Sequence, residues 1–211
     1  MTLEMSAEIL QLPDRRVGEA VDVLVRAFQE DPILTFFLHA RSRRNMAFRA
    51  FFGSIIRAHL CFGHVYAAFV EDRVAGVAVW RPPAAGAKTF RDRVRERWTR
   101  VFVRLLFPHT AGGLFRGFEA TLALHPNTPH WYLFFMGVDT GLQGRGIGSR
   151  LLVPVLEQAD KTRTLCYLET PFPRTHTFYQ RHGFDITTES HPFPGAPPLW
   201  TMTRRSKGPA S

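Results

Sequence analysis

Cysteine is nearly absent from this chain: Cys61 and Cys166 are the two present in 211 residues. Two thiols make no framework of disulfides, and both stand in apolar stretches, so they read as buried free thiols of a reducing compartment. No run of about 18 apolar residues occurs, so no membrane-spanning helix and no membrane partner are expected. The opening MTLEMSAEIL has no basic stretch followed by an apolar one, so no secretion signal is read there, and a cytoplasmic location is the expectation. The nine histidines are irregularly spaced, without an H-E-x-x-H string or a cysteine pair, so no metal is expected. There is no internal repeat. Acidic residues are in deficit, 18 against 27 basic ones, for a net charge of +9. The surplus is spread over separate segments. Its densest part, Lys88 to Arg104, has Phe90, Val94, Trp98, Val101 and Leu105 at helical spacing, which turns its arginines to solvent. With no recognised nucleic-acid module, no nucleic-acid partner is expected.

What is present is a core of ordinary size. Hydrophobic residues make up 45% of the chain, 19 of them phenylalanine, so a single domain over residues 1–211 with an aromatic-rich core is expected. Its ordered part is read as residues 8–203, with a frayed tail at 204–211. A lead-in strand falls within residues 1–12. Arg15 to Gln29 carries Val17, Val21, Leu24, Val25 and Phe28 at helical spacing, and Asp31-Pro32 ends it. Arg43 to Phe62 is a second amphipathic helix. Val65–Val70 and Val74–Trp80 form a hairpin around Glu71-Asp72-Arg73. One or two helices fill 89–124. This order predicts a mixed α/β (α+β) sheet with helices on it.

The most informative stretch is Gln143-Gly144-Arg145-Gly146-Ile147-Gly148. Before it lies Trp131 to Val138, an apolar, aromatic strand. After it, Ser149 to Glu157 opens like a helix. Glycine lets a turn take positive φ and lets a ligand approach the backbone. The first amides of the helix lack intrahelical partners and lie at the positive end of its dipole, where phosphates bind. A P-loop string is missing, and the G-x-G-x-G spacing late in the chain is not the dinucleotide fingerprint. By itself the turn suits either a plain connector or a ligand cradle.

The pattern Q-x-x-G-x-G between strand and helix resembles the acyl-CoA pyrophosphate loop of the GNAT N-acetyltransferase superfamily. Other segments extend the resemblance over roughly residues 8 to 203. Thr164–Thr170 reads as the next strand. FYQRHGF (Phe178 to Phe184) looks like the family's tyrosine-bearing helix ending at Gly-Phe, and Leu199–Thr203 like its last strand. Val77–Pro83 looks like the mid-domain strand ending in Trp and a proline pair. His125–Leu133 is similar to the approach to the CoA strand. Asp31–Leu34 resembles the loop between the two N-terminal helices. One departure is Thr175, where many relatives carry a cofactor-contacting asparagine.

The resemblance implies a GNAT-like fold, a mostly antiparallel twisted sheet flanked by helices, and an acetyl-CoA-dependent transfer to a primary amine of a small molecule. It implies that Gln143, Gly144, Arg145, Gly146, Ile147, Gly148 and Ser149 carry the CoA pyrophosphate, with Gly137, Val138 and Thr175 also on the cofactor. The Val138 backbone N–H would polarise the thioester carbonyl. Tyr179 reads by packing alone as a core tyrosine beside Phe178 and Phe184; the resemblance makes it the general acid for the thiolate. The base is expected at Glu119, on the preceding helical segment, or at His130, at the mouth of the CoA strand. The acceptor pocket is expected among Phe36, Phe37, Trp80, Trp98, Phe115 and Phe118, residues whose spacing also suits plain core. A non-catalytic acyl-CoA sensor and a protein N-acetyltransferase are the alternatives, and a homodimer is common among relatives.

Overall fold

The computed structural model describes residues 7–37, 41–83, 117 and 119–207. Of the helices expected over 89–124, residues 89–116 and 118, and with them Trp98, Phe115 and Phe118, lie outside the described residues, while 117 and 119–122 are helical. A seven-stranded sheet organises the rest, in the order β1-β2-β3-β4-β5-β7-β6. Its strands are β1 (Glu8–Gln11), β2 (Val65–Val70), β3 (Arg73–Arg81), β4 (His130–Val138), β5 (Leu165–Thr170), β6 (Asp185–Ser190) and β7 (Leu199–Arg204). The helices are α1 (Val17–Ala27), α2 (Pro32–Phe37), α3 (Arg41–Leu60), α4 (Ile147–Thr162) and α5 (His176–Arg181).

Two cores lie on the two faces of the sheet. The valines and leucines of α1 and the phenylalanines of α3 cover one face, against Val65, Ala67, Val77 and Val79. Helix α4 covers the other, packing Ile147, Leu151, Leu152 and Val155 against Ala78, Trp80, Trp131 and Leu133. Strand β3 is therefore apolar on both sides, and Val74–Trp80 are all buried. The β2–β3 hairpin turns at Glu71 and Asp72, both at positive φ (48° and 59°), the pairing that a two-residue turn of right-twisted strands demands.

Strands β4 and β5 pair in parallel, while every other neighbouring pair in the sheet is antiparallel. Their pairing joins His130–Leu133 to Leu165–Leu168 and stops there. Beyond it β4 continues to Val138 against β3, and β5 continues to Thr170 against β7. The two strands diverge, and a cleft opens between Phe134–Val138 and Glu169–Thr170.

Three sequence expectations need correction. Asp31-Pro32 begins a helix as well as following one: the Asp31 carboxylate accepts from the Leu34 N–H at 2.8 Å, a cap on α2 with Pro32 in its first turn. Asp31–Leu34 is thus cap and helix, not loop. Cys61 is exposed at the end of α3, and only Cys166 is buried. Arg204, read as the start of a frayed tail, is the last residue of β7 and 3% exposed. Its guanidinium forks onto Asp160 of α4 at 2.8 and 2.7 Å.

Candidate active site

The glycine-rich turn builds one end of the site. Gly144 and Gly146 stand at φ +76° and +77°, and a Cβ at either would meet nothing within 4 Å. Their requirement for glycine is therefore conformational, and the space around them is open to a ligand. The first backbone bond of α4 runs from the Arg150 N–H to the Gly146 carbonyl. That leaves the amides of Ile147, Gly148 and Ser149 without intrahelical acceptors, at the positive end of a 16-residue helix. Upstream, Asp139 braces the turn, accepting from the Gly141 N–H at 3.1 Å and from Arg26 of α1. Gln143 donates its side-chain amide to the Val138 carbonyl at 3.1 Å. Arg145 is exposed. The Ser149 hydroxyl sits 3.0 Å from Nε2 of His182, a ring that burial and the nearby arginines keep below its ordinary pKa.

The turn opens into the cleft between the diverging strands, a cavity of about 620 Å³. The Asp139 N–H is bonded to Ala75 on β3, so the alternation of strand amides turns the Val138 N–H the other way, toward this cleft. Gly137 lines the cleft too, and α1 lies directly on it: a Cβ there would sit 2.9 Å from that of Ala27. Tyr179 of α5 lines the same cavity at 9% exposure. Its phenol is pushed well above its ordinary pKa by burial, so it keeps its proton across the physiological range. Thr175 lines the cleft as well. Its hydroxyl donates to the Phe172 carbonyl at 2.8 Å and contacts Thr170 Oγ1 at 2.9 Å, which leaves mainly acceptor capacity for a ligand.

The two expected bases are not in the cleft wall. Glu119 is exposed on a helical turn, two residues before Thr121, which does line the cavity. His130 is half-buried at the start of β4, with Nδ1 2.7 Å from the Thr128 carbonyl and Nε2 3.0 Å from His125 Nδ1. Of the expected aromatic lining, Trp80 is wholly buried in the core and Phe36 stacks on Phe193. The cavity is lined instead by Phe28, Phe134, Phe135 and Met136.

Two carboxyls that sequence reasoning passed over do reach the cavity. Asp31 is 4% exposed, and burial outweighs its bonds to the Leu34 and Ile33 amides, raising its pKa to about 6. Glu169 stands in the opposite wall, on β5, its side chain 9% exposed. Both had a signal: an acid directly before a helix-opening proline, and a lone acid in the apolar run LCYLET.

Comparison with known proteins accords with this geometry. The chain matches the acetyltransferase (GNAT) family over residues 25–184, and it belongs to that family. An uncharacterized N-acetyltransferase of Schizosaccharomyces pombe is 25% identical over 85% of this chain and 74% of its own length. Among solved structures, the histone acetyltransferase HPA2 and related acetyltransferase from Corynebacterium glutamicum is 24% identical. It covers 98% of this chain and 100% of its own, with a TM-score of 0.66. A putative arylalkylamine N-acetyltransferase 7 from the mosquito Aedes aegypti is 15% identical over 94% of this chain and 87% of its own (TM-score 0.61). A polyamine N-acetyltransferase of Drosophila melanogaster is 16% identical over 95% and 100% (TM-score 0.55). The protein is therefore a transferase of the acetyltransferase class, built on the mixed sheet its sequence predicts.

Proposed function

We propose that this protein transfers an acetyl group from acetyl-CoA to the primary amine of a small molecule with an apolar body. The observation that carries the reading is the convergence on one cleft of a helix N-terminus with open glycines, a strand amide, a protonated phenol and a buried carboxyl.

Residues 143–149 fit a pyrophosphate: left-handed Gly144 and Gly146 with open space beside them and the first-turn amides of α4 make an anion cradle. When bound, acetyl-CoA supplies the thioester carbonyl and the thiolate leaving group. The Val138 N–H, directed into the cleft, is the donor for the carbonyl oxygen. Tyr179 holds a proton for the leaving sulfur. Asp31 offers a negative charge to the incoming ammonium, and the aromatic wall of Phe28, Phe134 and Phe135 covers an apolar substituent. That fold-level neighbours include arylalkylamine and polyamine N-acetyltransferases is in line with such an acceptor.

The test is a panel of primary amines with acetyl-CoA, read by release of free thiol and backed by thermal shift with CoA. Thiol release with at least one amine, and stabilisation by CoA, are expected. Failure of both CoA and acetyl-CoA to stabilise the fold sinks the reading.

A further inference from the structure

Behind Glu169 lies a row of polar side chains that the cofactor cradle does not use. It runs from the cleft wall to the outer end of β4. Glu169 Oε1 lies 3.1 Å from His125 Nε2, both side chains largely buried (9% and 15% exposed). The approach is off the hydrogen-bonding direction, and neither atom has a formed hydrogen bond. His125 Nδ1 lies 3.0 Å from His130 Nε2, and His130 Nδ1 lies 2.7 Å from the Thr128 carbonyl. The rings of Tyr132 and Tyr167 pack on His125, at 4.4 and 4.5 Å between centroids.

Counting protons along this row shows a vacancy. A carbonyl only accepts, so His130 Nδ1 carries a proton. Desolvation, assisted by the repulsion of Arg81 and His125, holds His130 below its ordinary pKa and favours its neutral form. Its Nε2 is then an acceptor, and His125 Nδ1 must carry the proton between the two rings. Nε2 of His125 is then the acceptor turned toward Glu169, whose carboxylate the Tyr132 and Tyr167 phenols also approach. A proton that arrives on Glu169 therefore finds an acceptor 3.1 Å away. The groups around it are Arg81 from β3, Tyr132 from β4, Tyr167 beside Glu169 on β5, and the two histidines. Both phenols are raised well above their ordinary pKa, chiefly by burial, so they keep their protons and are not acids of the row. Nor is this a metal centre: the ring nitrogens face each other rather than a common point, and no metal-holding group of three occurs among the described residues.

We propose that Glu169, His125 and His130 form a proton-release path that takes the substrate ammonium's proton from the cleft to solvent. The inference rests on the acetyl transfer proposed above and assigns its missing base. In that reaction the amine nitrogen bonds to the acetyl carbon as the carbon–sulfur bond breaks. The ammonium gives up two protons overall. One replaces the proton that Tyr179 hands to sulfur, and one leaves the protein. The outgoing proton passes to the Glu169 carboxylate, which lines the cavity, and on to His125 Nε2. His125 passes its Nδ1 proton to His130, and half-buried His130 gives its excess proton to water. Glu169 is the group that meets substrate; His125 and His130 act through it. His130, expected from the sequence as a base, thus works at a distance.

Two measurements test this. Nitrogen-15 spectra of the histidine side chains read the tautomer of His125 in the protein as it stands, without any acceptor. The proton is expected on Nδ1, with Nε2 bare toward Glu169; a proton resting on Nε2 overturns the path. With an amine substrate, Glu169→Gln and His125→Asn are expected to lower kcat about a hundredfold near neutral pH. KM for acetyl-CoA should be unchanged, activity should recover as pH rises, and added imidazole should rescue His125→Asn. A uniform loss without pH recovery or rescue overturns the path while leaving acetyl transfer standing. Absence of thiol release from every amine sinks the transfer reading, and the nitrogen-15 result still decides the row itself.

Discussion

Gly148 in the first turn of α4 and Phe178 of α5 are in contact: a Cβ at position 148 would lie 3.3 Å from Cζ of the Phe178 ring. In the proposed reaction the two helices carry different halves of the chemistry. Helix α4 presents the anion cradle, and α5 presents Tyr179, next in sequence to Phe178. The missing side chain at 148 sets how closely the Phe178 ring, and with it α5, approaches the first turn of α4. Gly148→Ala is expected to displace the Phe178 ring, raise KM for acetyl-CoA several-fold and lower kcat. Adding Phe178→Leu should recover part of both. A double-mutant cycle in which the two changes simply add excludes the coupling.

Tyr179→Phe keeps the ring and its packing against Phe178 and Phe184 but removes the proton donor. Turnover is expected to fall on the order of a hundredfold with KM for acetyl-CoA nearly unchanged. Steady-state kinetics at saturating amine decide it; unaltered kcat removes Tyr179 from the chemistry.

Asp31 carries a cost that depends on pH. Its folded pKa, about 6, lies above the ordinary carboxylate value of 3.8, so the folded state disfavours the charged form. The penalty is complete above about pH 6, shrinks as pH falls through 6 toward 4, and is gone below both values. Asn at position 31 keeps the oxygen that caps α2 without the charge. Asp31→Asn should raise stability at pH 8 by up to ~3 kcal/mol, the advantage disappearing near pH 4. Affinity for the amine should fall at the same time. Denaturant titrations at the two pH values check the first effect and acceptor KM the second.

Gly146 caps α4 in the left-handed region with open space where a Cβ would be. Gly146→Ala therefore strains the backbone without a clash and is expected to cost about 1–2 kcal/mol. The strain should appear as weaker CoA binding by calorimetry, since the turn relaxes away from the conformation that aims its amides. Equal affinity in the variant argues that those amides do not grip the pyrophosphate.

Much of the fold was legible because local rules and tertiary structure agree there. The β2–β3 hairpin, α1, α4 and the strand before the glycine turn all follow from helical periods or short apolar runs bounded by turn residues. The misreadings have physical causes. Asp31-Pro32 is both a helix breaker and a helix starter, and the sequence does not say which neighbour claims it. Cys61 sits in an apolar stretch, but at the last turn of α3, where one side of the helix faces solvent. Trp80 belongs to a strand covered on both faces, so its size serves the core rather than a pocket.

The sequence by itself determined the glycine turn and the helix that follows it, because they are consecutive residues whose geometry is local. It also determined the mixed sheet, because apolar runs and helical periods bounded by turn residues mark its elements. The cleft's carboxyls were decided only by the tertiary structure. Asp31 and Glu169 are separated by most of the chain and meet one cavity because β4 and β5 part after Leu133 and Leu168. The same holds for the row from Glu169 to His130. Whether an acid is a solvated charge or a buried proton carrier depends on which distant side chains exclude water from it, and no spacing along one chain encodes that.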